Sequence, residues 1–81
     1  MISMNTYDVC NQTDEVIFKK CLEKLKKIEE FSLVNDVLED VDGSLIAIFA
    51  YKGTEITLKN DEQVGTLYID SEKDISHLIY D

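Results

Sequence analysis

Arginine, proline and tryptophan are missing from this sequence altogether, and glycine is reduced to three residues, Gly43, Gly53 and Gly65. Without arginine the chain lacks the side chain best suited to bidentate recognition of phosphate and carboxylate. All eight cations are lysines, set against seventeen acids for a formal charge of −9. Direct nucleic-acid binding needs a basic footprint that this balance does not provide, and an anionic membrane surface repels it for the same reason. No stretch approaches the ~18 consecutive apolar residues of a spanning helix. Residues 1–7 have neither the basic start nor the apolar run of a secretory signal. The two cysteines, Cys10 and Cys21, form no disulfide framework. The expectation is a cytoplasmic protein with reduced thiols, although spacing alone decides no pairing.

Eighty-one residues make one domain with a thin core. A hydrophobic content of 44% with 31% charged residues is that of a folded chain rather than a disordered one. Residues 1–12 are polar and mixed and read as an irregular N-terminal arm or a short strand, ahead of a single acidic α+β domain at 13–81. Thr13 is placed to cap a helix over about 14–30. Its apolar stripe is Ile17, Phe18, Cys21, Leu22, Leu25 and Ile28, and Asp14 and Glu15 lie in the first turn where the helix dipole favours anions. Residues 32–41 fit a strand or a second helix. The strand is favoured because Asp42-Gly43 suits a two-residue type I′ hairpin into the strongly apolar segment 45–51. Lys52-Gly53 offers a second tight turn into 54–59, where Ile56 and Leu58 alternate with Glu55, Thr57 and Lys59. A two-residue turn there sets Phe49 opposite Ile56 and Ala47 opposite Leu58. Residues 60–62 form a polar turn, 64–70 a fourth strand, and Ser71 and Asp74 a capping-box variant before a short helix carrying Ile75, Leu78 and Ile79. The expected architecture is α+β: an N-terminal helix packed on one face of a four-stranded antiparallel meander, with a short C-terminal helix.

The negative charge is not spread evenly. Residues 13–30 hold five acids and five lysines, whereas 31–81 hold eleven acids and three lysines. In a meander the turns at Asp42 and Asp61 fall at the same end of the sheet. A patch of one sign steers oppositely charged partners, while turns also collect Asp and Asn for conformational reasons. Tyrosine outnumbers phenylalanine four to three and combines contact area with a polar tip. Asp40, Asp42, Tyr51, Asp61 and Glu62 are therefore the expected partner-binding residues. On the other face of the sheet, Ile46 and Ile48 beside Glu55, Thr57 and Lys59 are apolar enough to admit a homodimer.

Catalytic and metal chemistry find little support. His77 has no recognisable nucleophile or orienting partner, and Cys21 lies on the helix's apolar stripe. Asp70, Glu72, Asp74, Ser76 and Asp81 occur at calcium-loop offsets, but Ile75 replaces the required glycine and the last offset lacks its glutamate. No enzyme, cofactor or metal is expected.

The order of a helix followed by strands with Asp-Gly and acidic turns resembles the front half of class I secretion chaperones, which are small and acidic. That resemblance implies a client-binding role, although the chain is short for the family and shows no second long helix. The composition itself points to a small acidic inhibitor or antidote, of the toxin-immunity or phage anti-defence (anti-CRISPR) type. Such a protein would occlude a basic site on a nuclease, toxin or nucleic-acid-binding complex. A nucleic-acid mimic, with carboxylates spaced as phosphates, is the alternative reading.

Overall fold

The computed structural model describes residues 4–79 and shows an α+β domain with one helix and a short second helix packed on an antiparallel sheet. The elements in chain order are β1 (Asn5–Cys10), α1 (Glu15–Lys26), β2 (Ser32–Leu33), β3 (Leu38–Glu39), β4 (Leu45–Tyr51), β5 (Thr54–Asp61), β6 (Thr66–Ser71) and α2 (Ser76–Ile79). Six strands replace the expected four. The order across the sheet is β1-β6-β5-β4-β2, with β3 also paired to β4. Among the described residues no helix is long and apolar enough to cross a membrane.

The added strands come from both sides of the expected meander. Residues 5–10 form an edge strand paired with β6, rather than an arm outside the domain. Asn5 and Tyr7 face the core opposite Ser71 and Ile69, and a bulge at Val9 brings Cys10 round to the same face opposite Leu67. At the other edge, the expected strand over 32–41 is broken in two. β2 pairs Leu33 with Phe49 and β3 pairs Leu38 with Ile46, so residues 34–37 stand opposite only two residues of β4. Asn35 and Asp36 are poor strand formers, and an interrupted edge resists pairing with other chains.

The central register follows the sequence pattern. Phe49 pairs with Ile56 and Ala47 with Leu58 across the Lys52-Gly53 turn. Both turn residues have positive φ, 48° and 80°, as a type I′ turn demands. The Asp42-Gly43 turn is different, since of the two only Gly43 has positive φ. Asp40 N–H donates to Ser44 O at 2.8 Å and Gly43 N–H to Asp40 O at 3.0 Å. The loop is therefore three residues long with glycine at its bulge, the next most common hairpin geometry.

Helix α1 lies over β5. Its Phe18, Leu22 and Leu25 are buried on the inward-facing Ala47, Phe49, Ile56, Leu58, Leu67 and Ile69, while Ile17, Cys21 and Ile28 pack half-buried at the margins. Each large apolar side chain fully buried contributes roughly 1.5–3 kcal/mol. Asp14, not Thr13, is the N-cap, accepting from Val16 N at 2.9 Å and Ile17 N at 3.1 Å. Its own N–H donates to the buried Asn60 Oδ1 at 3.0 Å, which fixes the start of the helix to the end of β5. The helix stops four residues short of the expected end at 30. Phe31 is drawn into the core, where its ring meets Tyr51 edge-on at 5.3 Å and Phe49 at 6.3 Å, and the intervening residues unwind through tight turns. Ser71 is the buried last residue of β6 rather than a cap, and Asp74 receives Ser76 N instead. The cysteines are unbridged.

Replacing Asp14 by Ala should cost about 1 kcal/mol of stability, the usual value of an N-cap. Thr13→Ala should cost less than about 0.5 kcal/mol. Urea denaturation of the two variants checks which residue caps the helix.

Candidate functional site

Four of the five expected binding residues are brought together at one end of the sheet, and the chain holds them there by two turns locked to each other. In the first turn, Asp40 Oδ1 accepts from Val41 N at 2.7 Å and Asp42 Oδ1 accepts from Ser44 N at 2.9 Å. In the second, Asp61 Oδ1 accepts from Gln63 N at 3.0 Å and Val64 N at 3.2 Å, and Gly65 N–H closes on Asp61 O at 2.7 Å. Ser44 joins them. It is only 1% exposed, and its hydroxyl accepts from Glu62 N at 3.0 Å. Glu39 in β3 stands beside the first turn opposite Leu45, which pairs in turn with Asn60. Glu39, Asp40, Asp42 and Glu62 are exposed.

Asp61 is not an exposed charge. It is 6% exposed, and besides the two turn N–H groups it accepts from Tyr68 OH at 3.1 Å, with Lys59 Nζ at 3.5 Å. Burial pushes its pKa up, but the Val64 N–H, the Tyr68 hydroxyl, the Gln63 N–H and the Lys59 ammonium together pull it below the ordinary aspartate value. Asp42 is likewise lowered by the Ser44 N–H and hydroxyl, against opposition from burial and from nearby Asp61. Tyr68 responds in the opposite sense. Burial first, then its bond to Asp61, pushes its pKa up to about 12.

Tyr51 does not belong to this cluster. It ends β4, six residues from Leu45 and so roughly 20 Å away at the rise of a strand. Its ring is 5% exposed, packed edge-on against Phe31 with the Lys52 ammonium 5.4 Å from its centroid. It is a core residue.

Beside the acidic end lies an apolar strip on the outer face of the sheet, where no described element covers it. Ile46, Ile48 and Ala50 alternate with the inward residues of β4 and are half-buried. Leu38 is paired with Ile46 and is 51% exposed, and Val34 and Val37 are exposed in the break between β2 and β3. The off-face position of Ile46 and Ile48 is readable in sequence. The roles of Ser44, Glu39 and Leu38 are not, because they depend on which turns and edges meet.

Among the described residues, no group of three or more His, Cys, Asp or Glu side chains converges as metal ligands would. Asp74 accepts from Tyr7 OH at 3.0 Å, Ser76 N at 3.0 Å and Ser76 Oγ at 2.7 Å, which places it at a helix start. Asp81 of the calcium-loop pattern and Tyr80 lie outside the described residues. Comparison of the chain with protein-family models, with curated proteins and with solved structures finds no match in any of the three.

Two titrations test this geometry. Because the folded-state pKa of Asp61 is depressed, its stabilisation is present above the unfolded value of about 3.9 and is lost as pH falls through the folded value. Asp61→Asn should therefore lower the urea midpoint at pH 7, and the difference from wild type should shrink below about pH 3.5. For Tyr68 the folded pKa is raised, so the stabilisation is complete below about pH 10 and lost as pH rises towards 12. Absorbance at about 295 nm, the band of the ionised phenol, should show a step near pH 12 in the folded protein, and Tyr68→Phe should reduce its amplitude by one tyrosine.

Proposed function

We propose that this protein is a binding inhibitor or antidote, of the toxin-immunity or anti-defence kind, that occludes a basic functional surface on a partner protein. The observation that carries the reading is the acidic end itself. Two separate turns are bolted by Ser44 into one surface, directly beside an uncovered apolar strip. Backbone N–H groups already hold Asp40 and Asp42 in place, so little side-chain freedom is lost on docking. Exposed carboxylates at the rim accelerate encounter with a basic partner, and Leu38, Ile46 and Ile48 supply the apolar centre that association in water requires. The partner expected from this chemistry is a protein with a basic, partly apolar cleft. The apolar strip is also what separates this reading from nucleic-acid mimicry, which relies on charge alone.

The residues that test the proposal are those whose charges face solvent without holding a turn together, Glu39 and Glu62. The tagged protein should retain one basic partner in a one-to-one complex from its native lysate at about 0.15 M salt, where screening is moderate. Glu39→Lys with Glu62→Lys should weaken that complex by at least about tenfold, mainly through the association rate. Ile48→Asp should weaken it through dissociation, and Lys27→Glu on the helix should leave it unchanged. Loss of many nucleic-acid-binding proteins together at about 0.5 M salt would favour a mimic. A symmetric dimer that buries Ile46 and Ile48 without a partner would favour the client-binding role.

A further inference from the structure

The described elements do not completely roof the inner face of the sheet. Helix α1 lies over β5 and α2 closes one end, which leaves a groove of about 370 Å³ between α1 and the edge strand β1. That volume falls within the roughly 300–1,000 Å³ of small-molecule sites. Tyr7 and Ile69 form the floor, Ile17, Cys21 and Leu25 the helix wall, and Ile79 the closed end. Burial pushes the Cys21 thiol up, so it serves as an apolar wall rather than a nucleophile.

The rim is charged, and its sign is opposite to that of the protein as a whole. Lys20 and Lys24 stand one helical turn apart beside the groove. Lys19 and Lys26 are paired with Glu15 and Glu23, but among the described residues Lys20 has no carboxylate within ion-pair distance. Lys24 donates one proton to Ile79 O at 3.1 Å and keeps two further donors. Asp8 also borders the groove, but it pairs with Tyr68, which sets its side chain towards the outer face of the sheet. A short apolar slot, closed at one end and flanked by two ammonium groups, is complementary to a single apolar chain with one anionic end.

We propose that this groove binds a small amphipathic carboxylate, an unbranched aliphatic acid of medium chain length. Its tail lies between α1 and β1 and its head rests against Lys20 and Lys24. The groove shares no residue with the acidic end, so this site and the proposed partner surface stand or fall separately.

The test is an amide-resolved NMR titration of the full chain with decanoate below its micellar concentration, with decanol as the uncharged control. Saturable shifts should appear at Tyr7, Cys21 and Ile69, and decanol should bind at least about fivefold more weakly for want of the ion pair. Lys20→Glu should weaken decanoate by about fivefold or more without changing the urea midpoint, because Lys20 holds no other described group. The proposal is overturned if shifts fail to saturate or map to the outer face of the sheet. It is equally overturned if decanol binds as well as decanoate, or if Lys20→Glu has no effect on affinity.

Discussion

One twelve-residue helix has to cover the inner face of a six-stranded sheet, and most of the molecule's other features follow from that mismatch. The helix is roughly 18 Å long and 10–12 Å wide. The sheet from β1 to β2 spans four interstrand spacings, roughly 19 Å. The largest inward side chains sit on the central strands beneath Phe18, Leu22 and Leu25, where one helix can bury them. The flanks need other covers. Towards β4 the cover is Phe31, and placing it there ends the helix early. Towards β1 it is Ile75, just ahead of α2, and Ile79 at its end, held by the bond from Ile75 N to Tyr7 OH at 3.0 Å. What these covers leave open is the groove beneath Lys20 and Lys24, which Ile79 closes at one end only.

The same arrangement separates the charges. Helix α1 carries four lysines against two acids, and the wider segment 13–30 is balanced, whereas the acidic excess belongs to the sheet and its turns. Bringing Asp42 towards Asp61 costs electrostatic energy, visible as the rise that Asp61 imposes on Asp42. Hydrogen bonding outweighs it. Each carboxylate accepts N–H groups from its own turn, and those bonds favour the ionised form. The acids are thus part of how the turns fold as well as the source of the surface potential. Asp61 has gone furthest in this direction, since its interactions are all internal and it presents almost no surface.

What could be read in the sequence was whatever depended on neighbours a few residues away. The unbroken apolar run of 45–51 and the alternation of 54–59, with positive φ available at Gly53, set the central hairpin and its register. The apolar stripe of α1 and the shared end of the two acidic turns follow from the same kind of local pattern. The rest depended on contacts distant along the chain. Residues 5–10 are mixed in polarity and become a strand because β6 offers an open edge far along the chain, at Thr66–Ser71. Tyr51 reads as an interface aromatic until Phe31 closes over it. Ser44 is an unremarkable turn residue in sequence, and it is buried only because a second turn packs onto it. Asp42-Gly43 has the composition of a type I′ turn, but the register of β3 against β4 leaves room for three loop residues rather than two.

The separation of charge bears on how a partner would be met. A basic surface approaching this molecule is attracted to the acidic turns and gains nothing from the lysine-rich helix side, which favours some orientations of encounter over others. Orientation alone gives speed rather than residence, because exposed charge pairs in water contribute little each. Residence has to come from surface that loses water on docking. The nearest such surface to the acidic end is the strip formed by Leu38, Ile46 and Ile48, on the face away from α1. Long-range attraction and short-range burial therefore lie side by side around the β3–β4 hairpin. A partner that satisfies both must contact that edge of the sheet and leave the helix exposed.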